Sequence, residues 1–271
     1  MSVLETAATF ALPDTQVWMV GDWHGNTGWL QTLLPAMRQH DPSIATILQL
    51  GDFGFDITAP GLAAVDYWAG RAGIHRILVT LGNHEPWGKI ATAQAEARGK
   101  AIRVSEVVWL LPRPFRFMLG GREVLSLGGA ASVDKRWRTP GKDWFEDELI
   151  TDEMVDQAIA GGSAHVMLTH EPGSTVVPEV ESVLVRNLHG FPEDALVESA
   201  ASRRRVERVW EAVQPRLLMH GHMHVYGDRV FADGRKIISL NRDVMAGNAG
   251  VLDMETLSFE PLPLVSIRGW S

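Results

Sequence analysis

The chain has 271 residues, 45% hydrophobic and 21% charged, with no cysteine and a formal net charge of −8. That composition suits a globular protein able to bury a real core. It excludes disulfides, thiolate–metal sites and cysteine nucleophiles, and the acidic balance disfavours broad binding to nucleic acid or anionic membranes.

The first twenty residues lack the basic n-region of a signal peptide, and no apolar run reaches the roughly 18 residues of a membrane span. A soluble, cytoplasmic protein is therefore expected. Short apolar runs then recur along the chain and stop abruptly at glycine, aspartate or histidine. They are VWMVGD (17–22), IATILQLGD (44–52), HRILVTLGNHE (75–85), EVLSLGG (123–129), AHVMLTHEP (164–172) and RLLMHGHMH (216–224). Each reads as a buried strand followed by a polar turn. Between them, 29–40 sets Trp29, Leu30, Leu33, Leu34 and Met37 on one helical face, with Pro35 placed to shorten or kink it. Segments 61–72, 89–99 and 194–213 also predict helices. The stretch 173–193 reads as an irregular insertion, either a lid or a surface loop. Asp233–Gly234 signals a hairpin, and 249–265 a further strand pair. Strand–helix alternation followed by antiparallel strands predicts an α/β layered fold. With no repeat, low-complexity stretch or linker, one domain over 1–271 is expected.

The residues closing those strands are chemically rich. GDWHG supplies Asp22 and His24, GDFGFD supplies Asp52, and GNHE supplies Asn83 and His84. THEP supplies His170, and GHMH supplies His222 and His224. Carboxyl ends of strands in an α/β sheet collect at one edge, where ligands bind. Seven potential ligands exceed the needs of one tetrahedral ion and fit two ions of higher coordination.

As an ordered set spanning residues 21–224, these motifs resemble the calcineurin-like metallophosphoesterases. The resemblance implies a central β-sandwich of two mixed sheets flanked by helices. It also implies hydrolysis of phosphomonoesters or phosphodiesters by a hydroxide bridging two divalent metals. Asp22, His24 and His224 would hold one metal, and Asn83, His170 and His222 the other, with Asp52 bridging. Manganese is the foremost metal, with Fe, Zn, Ni, Co or Mg compatible with a thiolate-free set. His84 would contact phosphate and protonate the leaving group. The expected partner is a small-molecule or nucleotide phosphoester; nucleic acid is not favoured. Alternatives are a Ser/Thr protein phosphatase or nuclease of the same family, or a scaffold on the same fold.

Two departures matter. Many relatives carry an acid three residues after the bridging aspartate; here that position is Phe55, and Asp56 follows, as a partner of His84 or a cap. The Arg-Gly of the protein-phosphatase branch is missing from GDFGFDIT. Phosphate-gripping arginine is sought instead in 127–144, where Arg136 and Arg138 are the substrate-binding candidates. Trp23 and Trp87 are placed to wall the site. His220 is expected in the core or behind the ligands, and His40, His75, His165 and His189 have no motif context. ASRRRVERVW (201–210) reads as a solvated charge run.

Overall fold

The computed structural model describes residues 3–268; the one-domain reading of 1–271 includes five terminal positions outside them. In chain order the first half contains β1 (Glu5–Ala7), β2 (Ala11–Leu12), β3 (Gln16–Val20), α1 (Thr27–His40), β4 (Thr46–Gln49), α2 (Ala59–Ala72), β5 (Arg76–Val79), α3 (Trp87–Ala97), β6 (Ala101–Arg103), β7 (Val108–Leu110), β8 (Phe115–Leu119) and β9 (Arg122–Leu127). The second contains α4 (Asp152–Ala160), β10 (Val166–Thr169), α5 (Pro178–Arg186), α6 (Glu193–Val213), β11 (Leu217–His220), β12 (Gly227–Val230), β13 (Lys236–Ser239), β14 (Ala249–Asp253), β15 (Phe259–Pro261) and α7 (Leu264–Arg268). All six strands expected from the apolar runs form.

Two mixed sheets stack. One runs β1-β6-β7-β5-β4-β3-β14-β15, the other β12-β13-β11-β10-β9-β8-β2. Within the first, β3, β4, β5 and β7 are parallel neighbours; within the second, β9, β10, β11 and β13 are. Alternation along the strands builds three cores. On β3, Val17 and Met19 point between the sheets while Trp18 and Val20 point outward. On β11, Leu217 and Met219 point between the sheets and Leu218 outward. The outer face of the first sheet is covered by α1 to α3, and that of the second by α4 and α6. Strands buried on both faces have no polar side to show, so their sequences read as unbroken apolar runs.

Local chemistry sets the helices. Asn26 caps α1 by accepting from Trp29 N at 2.9 Å. Pro35 lies inside α1, which nevertheless continues to His40. Gly73, at φ 75°, ends α2 in the left-handed conformation that glycine adopts without strain. The insertion 173–193 is more ordered than its sequence suggested, since residues 178–186 form α5 with Pro178 in its first turn. The predicted hairpin is β12–β13, and the predicted C-terminal pair is β14–β15.

Candidate metal centre

Asp22 and His24 follow β3, Asp52 follows β4, and Asn83 and His84 follow β5, all in the first sheet. His170 follows β10, and His222 and His224 follow β11, in the second. The residues therefore meet at one end of the sandwich, across the gap between two sheets. A single sheet edge, as the strand pattern alone suggests, does not supply them. Tight turns bring them inward. His24, Asp52, His222 and His224 have φ of 47°, 50°, 71° and 52°, a left-handed region that non-glycine residues occupy at a cost of roughly 1 kcal/mol or more each. Gly221 has ordinary φ; its missing side chain matters because a Cβ there would strike Asp22 Oδ1.

Two clusters form. Oxygen or nitrogen atoms of Asp22, His24, Asp52 and His224 lie within 4.8 Å of one another, and so do those of Asp52, His170 and His222. Asp52 belongs to both. Its Oδ1 lies 3.2 Å from His170 Nε2, and its Oδ2 lies 3.6 Å from His24 Nε2. Asp22 Oδ2 lies 3.0 Å from His224 Nε2. Asn83 Oδ1 reaches within 3.1 Å of His170 Nε2, oriented by its Nδ2, which donates to Ser132 Oγ at 3.0 Å.

The donor set fits cations. His170 Nδ1 donates to Leu50 O at 2.6 Å, so in the neutral ring Nε2 carries a lone pair. That lone pair faces two oxygens, Asn83 Oδ1 and Asp52 Oδ1, which have no proton to give it. Buried Asp22 Oδ2, Asp52 Oδ2 and His222 Nε2 have no hydrogen-bond partner among the described residues. A proton or a metal ion relieves such crowding. Without metal, protons take the role. Burial lowers the His24 pKa, but the close Asp52 carboxylate, with Asp22 and Asp243 nearby, outweighs that and raises it to about 9. Burial likewise opposes the His170 proton, yet Asp52 and Asp22 push its pKa to about 10. Burial would raise the Asp52 carboxyl, but the His170 and His84 charges hold it well below its usual range. His222, buried and facing His170, is pushed well below the ordinary imidazole value.

A backing shell fixes these side chains, and no motif marks it. Asp243 Oδ1 lies 3.2 Å from His24 Nδ1, and its Oδ2 accepts from Asn26 Nδ2 at 2.5 Å. Carboxylate support of this kind orients a metal-binding imidazole. Asp243 N and Asn248 Nδ2 donate to Asp22 O at 2.8 and 3.1 Å. Glu85 is buried and accepts from Phe53 N, Gly54 N and Gly82 N at 2.9, 3.3 and 3.1 Å, tying the turn after β4 to that after β5. Burial, then Asp52, raises its pKa. Above the clusters is a cavity of about 220 Å³, into which His84, Asp134, Val183, His189, Phe191 and Met223 also project. His84 Nε2 lies 3.3 Å from Asp134 Oδ2.

A family model described as calcineurin-like phosphoesterase matches residues 15–226. The chain belongs to the calcineurin-like phosphoesterase family. The fold of this chain is similar to that of the protein TT1561 of Thermus thermophilus, with TM-score 0.54 and 10% identity, over 92% of this chain and 99% of that one. It is also similar to a dimetal phosphatase from Danio rerio, with TM-score 0.49 and 11% identity over 88% and 92% of the two chains. A 5'-nucleotidase from Candida albicans matches with TM-score 0.46 and 14% identity, over 96% of this chain and 54% of that one. No curated protein is a significant sequence match.

Other candidate residues of this family member lie elsewhere. Arg138 is almost buried; its guanidinium contacts Ser132 Oγ, Glu148 Oε2, Asp143 O and, at 3.3 Å, Asn83 O. It lies behind Asn83 rather than in the cavity wall. Arg136 lines a separate groove with Asp194 and Glu198 of α6. Trp23 and Trp87 are fully buried and do not wall the cavity. Trp23 packs on Phe53 and Phe55, while Trp87 carries the Arg113 guanidinium on its ring. Asp56 is exposed and caps the next segment through Thr58 N and Oγ1, so the partner of His84 is Asp134 instead. His220 is buried beside His222 and His224, with Nδ1 donating to Gly221 O at 3.0 Å. Arg205 and Arg208 of the charge run reach Asp152 and Asp156 of α4 at 3.2 and 3.0 Å, and so join two helices. Among the described residues no helix is long and apolar enough to cross a membrane.

Proposed function

We propose that the whole chain is one metal-dependent phosphoester hydrolase domain acting on monoesters or diesters. Asp22, His24 and His224 hold one divalent ion, Asn83, His170 and His222 hold a second, and Asp52 is shared. The observation that carries this reading is Asp52, whose two carboxylate oxygens face different clusters, Oδ2 toward His24 after β3 and Oδ1 toward His170 after β10. Two divalent ions bound there would activate a water and offset phosphate charge. A nitrogen and oxygen donor set suits Mn, Fe, Zn, Ni, Co or Mg, and manganese is the first to test.

The protein supplies the remaining chemistry. His84 lies at the cavity beside both clusters, with its ring near Asp134. An imidazole is suited to donate a proton to the leaving oxygen near neutral pH. Residues 173–193 form the lid of this site, since Val183, His189 and Phe191 stand in the cavity wall.

The test is turnover of p-nitrophenyl phosphate and bis-p-nitrophenyl phosphate with defined metals, in the native chain and in Asp52→Asn. The native chain should hydrolyse at least one. Asp52→Asn should lose most activity and bind at least one ion more weakly. Failure on both esters with manganese supplied, or near-normal turnover in Asp52→Asn, removes the proposal.

A further inference from the structure

We infer that the leaving group of the substrate is small, apolar and uncharged, selected by Val183 and Phe191 of the segment after β10. The inference rests on the hydrolase reading above and adds the chemistry of the group that departs.

The cavity has two unlike sides. One holds Asp52, Asn83, His222 and His224 beside His84, where a phosphoryl group would sit. The other is apolar, built from Val133, Val183, Phe191 and Met223. This wall is held in place. Val180 of α5 is fully buried in the core beneath it, which turns Val183, one helical turn further on, toward the cavity. Val185 and Leu188 point to solvent, 77% and 80% exposed. Phe191 is fixed by a closed turn: Asn187 Nδ2 donates to Phe191 O at 2.9 Å, and Phe191 N donates to Asn187 Oδ1 at 2.8 Å. The His189 ring lies 5.4 Å from the Phe191 ring.

Charge and size narrow the ligand. Among the described residues no lysine or arginine lines the cavity, and Asp134 does. Nearby cations do not line it: Lys135 pairs with Glu198 at 3.0 Å and sits over the Trp144 ring, and Arg138 is held behind the wall by Asn83 O and Glu148, with Asp134 Oδ1 3.8 Å from its guanidinium. A leaving group bearing a carboxylate or a second phosphate would meet Asp134 in this wall and no lysine or arginine there. The cavity, at about 220 Å³, is smaller than the roughly 300 Å³ at which pockets for drug-sized ligands begin. An apolar ring or short branched alkyl group is of a size to lie against this wall.

The test uses three non-hydrolysable probes, methylphosphonate, benzylphosphonate and 4-carboxybenzylphosphonate. Each is titrated by calorimetry into the manganese-loaded chain. Benzylphosphonate should bind about tenfold tighter than methylphosphonate, as expected for burying one ring face, and the added carboxylate should abolish that gain. Phe191→Ser and Val183→Ser should each reduce the benzyl-over-methyl preference to below about threefold, while Val185→Ser should keep it. Equal affinities for benzyl and methyl probes, including failure of all three to bind, overturn the inference. So does a preference unchanged in both wall variants, or tighter binding of the carboxylated probe. Turnover of nitrophenyl esters without benzyl preference sinks the wall but leaves the hydrolase reading intact. A Phe191-dependent preference without turnover does the reverse.

Discussion

Asp243 is the most informative residue to change, because it supports one cluster and not the other. Its carboxylate accepts from two neighbours, His24 Nδ1 at 3.2 Å and Asn26 Nδ2 at 2.5 Å, from a nearly buried position, with the exposed Arg242 guanidinium 3.8 Å away. Asp243→Asn keeps the shape but leaves one oxygen for two donors and turns an amide N–H toward the other. A hydrogen bond to a charged group contributes about 1.5–3 kcal/mol, equivalent to roughly a 10- to 100-fold loss in metal affinity. The loss should fall on the Asp22, His24 and His224 site alone. Asn26 Oδ1 still accepts from Trp29 N, so the start of α1 should survive. Titration with manganese against a chelating indicator reads the two sites separately, and urea unfolding checks the fold. Two affinities equal to those of the native chain, or an equal loss at both sites, would refute the reasoning.

Three further outcomes are expected. In the metal-free chain His24 and His170 titrate near 9 and 10, above the unfolded value of 6.5, so the stability they contribute is fully present below pH 6.5 and lost as pH rises through 9 to 10. Chelator-treated protein should accordingly melt at a lower temperature at pH 10 than at pH 7, and metal loading at pH 7 should release about two protons, read from calorimetry in buffers of different ionisation enthalpy. Glu85→Ala strands three backbone N–H groups and should cost roughly 3 kcal/mol or more in urea unfolding; a change below about 1 kcal/mol would show that water replaces the carboxylate. His84→Ala should leave metal content intact and slow turnover, most for esters with poor leaving groups, and Asp134→Asn should do the same to a lesser degree; a uniform slowing across leaving groups would argue against proton donation by His84.

Much of this site is written at strand ends. Each apolar run ends where a sheet ends, so Asp22, Asp52, Asn83, His170 and His222 announce themselves by interrupting a hydrophobic pattern. The hairpin at Asp233–Gly234 is equally local. Asp243, Ser132 and Asp134 carry no such mark, because they lie in loops whose approach to the site depends on how two sheets stack. The arginine reading stumbled for a related reason. Arg138 is basic and close in sequence to a glycine turn, but buried Glu148 and three oxygen acceptors claim its guanidinium. Trp23 and Trp87 neighbour the candidate ligands in sequence yet pack into the core on the outer side of the first sheet, Trp23 against Phe53 and Phe55 and Trp87 at the start of α3. Phe191 and His189 lie in a segment without periodicity, and the spacing of Asn187 to Phe191 becomes a turn signal only once the backbone is seen to close on itself.

The place of β3 in its sheet has a consequence for how the chain is made. β3 lies between β4 and β14, pairing Val20 with Ala249 and Gln16 with Asp253. On the ribosome, residues 16–20 emerge long before their second neighbour exists. Until β14 is synthesised, β3 presents an open edge, apolar from Val17 to Val20, and the loop carrying Asp243 and Asn248 is not there to brace Asp22. Pairing across such a separation is slow, and an exposed edge invites association with other chains. Nascent chains stalled before β14 should therefore be the aggregation-prone and chaperone-dependent species of this protein.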